Sequence, residues 1–356
     1  MNFSFVITNL KSGGAEKAFI NTISILIQAG HTCNLFLLDA QIDYSIPENF
    51  NVEIIKKSIF GRGWLGKKVM AARLKQKLIR AKPNAVISTL PFADEVTALA
   101  NPKNHHCRIA NTLSAEIEEL NLRNKSKAAK RIKKYKDIYG SRNLIAVSEG
   151  VAKDLSRTLQ IKSKIIVIYN PFLEKDIINQ STQPIYLDIK NPFLLYVGRF
   201  SQQKRLDVLL DAFSEIPSEY DLVMLTPQHI ELIDMINSRG ISHRVHVLGF
   251  KKNPYAYMSK SKLLVLTSDR EGLPNVLVEA LICGTPVVST DCPSGPREIL
   301  ADTSPSSLVP CGDLQSLVQA IKMKLQTSQK NQPLILTKFN PEKVLMAYEN
   351  IATSME

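Results

Sequence analysis

Short apolar runs of strand length recur along this chain, and most are followed by a segment of helix length. The first run is residues 3–8, followed by a loop at 9–14 and a helix expected over 15–29. Further runs lie at 35–38, 52–55, 85–88, 107–110 and 144–147. A strand that is apolar on both faces needs cover on both faces, and helices between successive strands supply it. The pattern therefore predicts α/β architecture, with a mostly parallel sheet between two helical layers. Around Pro171 and Pro184 the sequence becomes polar without a sustained period, as expected of a connection. A second series of runs then begins at 193–197, 222–225, 245–248, 263–266 and 286–289, with helices expected over 206–213, 229–239, 255–260, 275–283 and 313–326. The expected organisation is one domain over 1–170, a linker over 171–191, a second domain over 192–330 and a helical tail over 331–356 that returns to the first. Ligands are expected in the cleft between two such domains, where strand ends and helix N-termini converge.

A chain of 356 residues has room for two cores, and 44% apolar with 22% charged residues is ordinary for a folded soluble protein. No run approaches the ~18 apolar residues of a spanning helix. The first residues lack a basic leader and a long apolar core, so no signal peptide is expected. Cys33, Cys107, Cys283, Cys292 and Cys311 are odd in number and show no CxxC spacing, which favours reduced thiols in the cytoplasm.

The net charge of +12 is unevenly placed. Residues 62–82 hold eight Lys or Arg and no acid, and residues 123–142 hold nine with one Asp. Such blocks attract anionic lipid or diphosphate groups. No helix-turn-helix, RNA-recognition or zinc signature accompanies them, so nucleic acid is not expected as a partner. In the first block Leu65, Val69, Ala72 and Ile79 share one helical face while Met70, Leu74 and Leu78 point elsewhere, which suggests that the helix also packs against protein.

Residues 267–299 carry the densest chemistry. An apolar strand runs into a turn with Glu271, Gly272, Leu273 and Pro274; a helix then opens at Asn275 and carries Glu279. A helix start with exposed N–H groups and a carboxylate at each end suits a phosphate or diphosphate attached to a hydroxylated sugar or ribose. Gly198 and Arg199 follow another buried strand, with Lys204 five residues on; the two cations can neutralise a diphosphate leaving group, and the glycine leaves room for approach. Gly13 and Gly14 open the first helix and permit a close backbone approach. Glu271 and Glu279 could alternatively form the acid–base pair of a glycoside hydrolase. Arg297 and Glu298 could bind substrate or pair with each other. His105, His106, His229, His243 and His246 show no metal spacing and read as loop or surface residues. The Ser148 hydroxyl suits a helix cap near Gly150. The chain has no GxGxxG, P-loop, GxSxG or Asp-x-Asp pattern.

These motifs, taken together, resemble the retaining GT-B glycosyltransferases of family 4, which include bacterial lipopolysaccharide, capsule and N-glycan assembly enzymes. The resemblance covers nearly the whole chain. It rests on GGAE at 13–16, VSEGV at 147–151, YNPF at 169–172, YVGRFSQQK at 196–204, GLPNVLVEAL at 272–281 and GTPVVSTD at 284–291. It implies two Rossmann-like domains facing across a cleft. The implied catalytic residues are Glu271, Arg199 and Lys204. Arg199 and Lys204 would hold a donor diphosphate beside Gly198, and Glu279 the ribose. Glu271 would face the sugar, helped by the backbone of Gly272, Leu273, Pro274 and Asn275. The base would lie near Leu248 and Gly249, with Gly13 and Gly14 lining the site. The implied reaction uses no metal or cofactor and draws on a nucleotide sugar, UDP-linked on resemblance to cell-envelope enzymes. The implied acceptor is a polyprenyl-diphosphate-linked or other lipid-linked saccharide, met at the inner face of the cytoplasmic membrane. A nonenzymatic saccharide- or lipid-binding protein and a nucleotide-sugar epimerase are alternative uses of the same fold. Two departures stand out: Asn111-Thr112 follows the fifth strand where many relatives carry a histidine, and Thr226-Pro227 replaces a frequent G-x-G.

Overall fold

In the computed structural model the described residues are 1–11, 13–44, 46–55, 61–327 and 337–353. They form two compact units, Met1–Pro171 with Lys338–Glu356, and Phe172–Thr337.

The first unit begins with β1 (Asn2–Ile7), α1 (Gly14–Gln28), β2 (Thr32–Leu37) and β3 (Asn51–Ile54). The basic helix α2 (Trp64–Ala81) leads to β4 (Ala85–Thr89), α3 (Pro91–Ala100) and β5 (His105–Ile109). Next come α4 (Leu113–Arg123), α5 (Lys125–Tyr139), β6 (Asn143–Ala146), the short α6 (Glu149–Lys153) and β7 (Ile165–Val167). The strands line up as β3-β2-β1-β4-β5-β6-β7, all parallel. The chain lays strands outward from β1 in one direction and then in the other from β4. That reversal puts the ends of β1 and β4 side by side, the usual place for a ligand in such a sheet.

Helix α2 buries Met70, Ala71, Leu74 and Leu78 against Val6, Phe36 and Val86. The face that carries Leu65, Val69, Ala72 and Ile79 is largely outside: Leu65, Ala72 and Ile79 are exposed and Val69 is half-buried. Spacing of three and four residues selects Met70, Leu74 and Leu78 as the stripe the sheet can cover.

The second unit opens with α7 (Glu174–Ser181), inside the stretch expected to be a linker. Its buried Ile177 and three hydrogen bonds to carbonyls at its C-terminal end hold it to its own unit: Asn253 Nδ2 to Gln180, Ser259 Oγ to Ser181 and Lys260 Nζ to Gln183. Then follow β8 (Phe193–Val197), α8 (Leu206–Ser214), β9 (Asp221–Leu225), α9 (Ile230–Asn237), β10 (Val245–Val247) and the one-turn α10 (Tyr255–Met258). The series closes with β11 (Leu263–Leu266), α11 (Asn275–Ile282), β12 (Val287–Thr290), α12 (Pro296–Leu300), β13 (Leu308–Val309) and α13 (Leu314–Thr327). The sheet order is β10-β9-β8-β11-β12-β13, again parallel, and the reversal lies between β8 and β11.

The last helix, α14 (Pro341–Thr353), belongs to the first unit and packs on α1. Tyr348 is buried there, its ring 6.4 Å from that of Phe5, and Glu349 sits 2.8 Å from His31 Nε2. Among the described residues no helix is long and apolar enough to cross a membrane.

Truncating Tyr348 to Ala should therefore lower stability by about 3–5 kcal/mol in urea unfolding, the usual cost of emptying a large aromatic site. Met346→Ala, on the exposed side of the same helix, should stay within about 0.5 kcal/mol of the parent.

Candidate active site

The reversal between β8 and β11 brings two loops together. Leu194 and Leu195 pair with Leu263 and Leu264, so the segments leaving these strands emerge as neighbours. The loop after β8 carries Gly198, Arg199 and Lys204; the loop after β11 carries Glu271. Several bonds sew them into one surface. Gln203 Nε2 donates to the Arg270 carbonyl at 2.6 Å, and the Asp269 N–H donates to the Gln203 carbonyl at 3.0 Å. Thr267 Oγ1 reaches the carbonyls of Lys204 and Arg205 at 2.9 and 3.1 Å. Arg205, in the left-handed region at φ 46°, forks between Asp207 and Asp269.

On this frame Lys204 Nζ stands 2.5 Å from Glu271 Oε1, both side chains largely buried. Arg199 is exposed, and among the described residues its guanidinium has no carboxylate partner. Beneath them lies Tyr196, fully buried, whose hydroxyl donates to the Arg199 carbonyl at 3.1 Å. Burial, reinforced by the Glu271 charge nearby, pushes its phenol far above the usual range. The sequence expectation is that Gly198 leaves room for a ligand; in the structure a Cβ there would meet the Tyr196 hydroxyl at 2.6 Å. The glycine is needed by the chain's own tyrosine.

Residues Gly272, Leu273, Pro274 and Asn275 are buried and lead into α11, whose N-terminus has no side-chain cap. The turn of Ser294 and Gly295, both at positive φ, lies over them. A Cβ on Gly295 would collide with the Pro274 ring and come within 3.1 Å of Gly272 O and Leu273 Cα. Glu279 is buried on α11 and accepts from the Tyr255 hydroxyl at 3.3 Å. The two glutamates thus have different protein partners, an ammonium for Glu271 and a phenol for Glu279. Leu248 extends the β9 ladder through its N–H to the Met224 carbonyl at 2.9 Å. Gly249 turns the chain at φ 75° with nothing within 4 Å of where a Cβ would stand.

Gly13 and Gly14 lie in the first unit, after β1. Tyr44 holds the loop: its hydroxyl accepts from the Gly13 N–H at 3.0 Å and donates to the Gly13 carbonyl at 2.9 Å. A Cβ on Gly13 would strike the Glu16 carboxylate, which folds back over it. Ser148 Oγ accepts from Val151 N–H at 3.2 Å and caps α6, as its sequence position suggests. Where many relatives would carry a histidine, Thr112 is buried and its N–H donates to Asn111 Oδ1 at 2.9 Å.

Three sequence expectations need correcting. His105 and His106 are not surface residues: β5 begins at His105 and buries both. His246 is not a loop or surface residue either: it is half-buried in β10 and bonds Asp221 at 2.8 Å, whereas His229 is exposed in the loop before α9, as expected, and stacks on Phe200. Arg297 pairs with Asp291 rather than with Glu298, its neighbour on α12; adjacent side chains on a helix diverge by about 100°. Tyr196, Tyr255, Arg205 and Tyr44 were not singled out by sequence, because buried tyrosines and loop arginines have no spacing signature of their own.

Residues 179–336 match the family described as Glycosyl transferases group 1, and residues 12–172 match Glycosyltransferase Family 4. The chain is 27% identical over 328 residues to the N-acetylgalactosamine-N,N'-diacetylbacillosaminyl-diphospho-undecaprenol 4-alpha-N-acetylgalactosaminyltransferase of Campylobacter jejuni, covering 90% of this chain and 89% of that one. It is 31% identical over 182 residues to the lipopolysaccharide 1,6-galactosyltransferase of Escherichia coli, a match spanning 49% of this chain and 50% of the other. Among solved structures, Anabaena HepE in complex with UDP and glucose superposes with a TM-score of 0.76 at 19% identity, covering 100% of both chains. Two parallel-sheet units of this kind are the GT-B fold.

The crowding at Gly295 yields a stability contrast. Gly295→Ala should cost about 1–3 kcal/mol or more, since strain at positive φ adds to the clash with Pro274. Gly249→Ala, with open space around it, should cost only the backbone penalty of about 1–2 kcal/mol. Chemical denaturation of the two variants checks the order.

Proposed function

The chain belongs to glycosyltransferase family 4, and from that premise we propose that it moves a hexose or N-acetylhexosamine from a UDP-sugar to a hydroxyl of a polyprenyl-diphosphate-linked saccharide, with retention of configuration and without a metal ion. The observation that carries this reading is the Lys204–Glu271 pair at 2.5 Å beside Arg199, which has no carboxylate partner among the described residues. A diphosphate leaving group carries its own charge, so its departure is helped most by fixed cations and N–H donors. Lys204 and Arg199 are assigned the diphosphate, Glu279 the ribose hydroxyls, and Glu271 with the Gly272–Asn275 backbone the sugar; Leu248 and Gly249 are assigned the base.

In the proposed step the acceptor oxygen attacks the anomeric carbon on the face the diphosphate leaves. The carbon–oxygen bond to the diphosphate breaks with its electron pair going to the phosphate oxygen, which takes the acceptor's proton. No enzymic nucleophile enters this step. The lipid-linked acceptor is favoured by the Campylobacter jejuni relative, whose name specifies a diphospho-undecaprenol substrate.

Docking at the inner face of the cytoplasmic membrane is part of the same proposal. On α5, Arg131 and Lys134 pair with Glu116 and Glu95, whereas Lys125, Lys127, Lys130, Lys133 and Lys136 are exposed with no carboxylate partner among the described residues. At the start of α2 the exposed Trp64 ring lies 3.8 Å from Lys68 Nζ and next to the exposed Leu65. Cations backed by an aromatic ring suit an anionic headgroup layer.

Calorimetry with UDP, GDP and ADP tests the donor, with UDP expected to bind and the others to bind weakly or not at all. Arg199→Ala and Lys204→Ala should each cut transfer by about 10²–10³, and EDTA should leave the rate unchanged. Normal rates in both variants, or strict dependence on a divalent ion, would overturn the assignment. Replacing the five exposed α5 lysines by Gln should weaken association with phosphatidylglycerol vesicles while leaving UDP affinity intact, and parent binding should fall as salt rises. Unchanged vesicle association would remove the membrane from the account.

A further inference from the structure

Helices α2 and α5 carry the two basic blocks, and α3 packs against both. Two helices of like charge repel, so holding both beside α3 requires a counter-charge between them. Helix α3 has two acids, adjacent in sequence. Asp94 is buried and accepts from Ser88 Oγ at 2.5 Å and from the Tyr139 hydroxyl at 2.8 Å, which ties α3 to β4 and to the end of α5. Burial pushes its carboxyl up to about 7, so it is a poor counter-ion for lysine.

The counter-ion is Glu95. Its Oε1 lies 2.5 Å from Lys67 Nζ of α2, and its Oε2 lies 2.7 Å from Lys134 Nζ of α5. Burial by itself would raise this carboxyl, but Lys134 and Lys67 bring it below the usual carboxylate range. Among the described residues it is the one carboxylate paired with both basic helices; Glu53 serves α2 alone and Glu116 serves α5 alone. Helix spacing shows what this clamp aligns, because residues three or four apart share a face. Trp64 precedes Lys67 by three, and its ring lies 3.8 Å from Lys68 Nζ. Lys130 and Lys127 precede Lys134 by four and by seven. Trp64, Lys68, Lys127 and Lys130 are all exposed.

We propose that Glu95 is the positioning residue of a single lipid-binding face: by holding Lys67 and Lys134 together it sets Trp64 and Lys68 of α2 beside Lys127 and Lys130 of α5, so that both helices meet one anionic bilayer at once. This role rests on the docking proposed above. Two linked patches bind more tightly than either alone only while their geometry lets both engage. By its charge Glu95 opposes an anionic bilayer; its contribution is geometric, and that gives the two effects opposite signs.

The test is sedimentation of the full chain with mixed phosphatidylglycerol and phosphatidylcholine vesicles, comparing Glu95→Gln with Glu118→Gln. Glu118 is exposed on α4, which also packs against α5, and its loss changes the charge by the same amount. Glu118→Gln should bind as the parent does or up to about fivefold tighter, the value of one charge near an anionic surface. Glu95→Gln should bind about tenfold more weakly than the parent. Without lipid, hydrogen exchange in α5 should quicken in Glu95→Gln while β1 and β4 keep the parent's protection. If Glu95→Gln unfolds the first unit, Lys67→Gln decides against Lys75→Gln, an equal loss of charge on the same helix. Lys75 is the more exposed, so charge alone predicts the larger loss there, whereas the clamp predicts it for Lys67. Glu95→Gln binding as tightly as Glu118→Gln, or Lys67→Gln losing no more than Lys75→Gln, would overturn the role of Glu95 and leave docking in place. A parent that does not bind these vesicles would remove docking itself, and this face with it.

Discussion

A lysine and a glutamate 2.5 Å apart, Lys204 and Glu271, join the loop after β8 to the loop after β11, and the candidate site of the second unit is organised around them. Each would be costly to bury alone; removing one partner of such a pair typically costs about 3–5 kcal/mol, because the other charge is left stranded. The surrounding bonds serve to hold that pair in place. Arg205 is fixed between Asp207 and Asp269, Gln203 reaches the Arg270 carbonyl, and Tyr196 supports the Arg199 backbone from below. An ammonium held by a carboxylate is compensated while the site is empty and can be shared with an arriving diphosphate. Pairing is therefore compatible with the diphosphate role proposed for Lys204.

Topology decides where that pair can be. In both sheets the chain reverses its direction of strand addition, at β1 and β4 in one and at β8 and β11 in the other, and the loops that carry Gly13 and Gly14, Arg199 and Lys204, and Glu271 leave β1, β8 and β11. Three of the seven non-glycine residues at positive φ among the described residues stand at these places: Leu90 at φ 75° follows β4, Arg205 at φ 46° follows β8, and Ser294 at φ 69° overlies the turn after β11. Such residues cost stability and persist where their surroundings hold them, a common mark of ligand sites.

The α/β alternation and the positions of most strands were legible because fully buried strands are written as apolar runs. What escaped had weaker signals. β7 is three half-buried residues, and α7 is a two-turn helix between prolines, too short for a period to show. β5 starts with His105 and His106, residues with no preference that could have announced a buried strand. The motif residues were legible through their spacing and company, but their partners were not. No pattern says that Tyr255 meets Glu279, that Tyr44 clasps Gly13, or that Gly198 is small to admit Tyr196 rather than a ligand. Those contacts are made between segments far apart in the chain and appear only when the sheet order is known.

The most direct measurement is the affinity for UDP when the Glu271 carboxylate is replaced by its neutral isostere. If Lys204 is shared between Glu271 and a diphosphate, Glu271→Gln frees the ammonium and removes a repelling charge, so UDP should bind more tightly by about tenfold while sugar transfer is lost. If UDP binds Glu271→Gln as the parent does, or more weakly, then Lys204 is not the diphosphate's cation and the account fails at its centre.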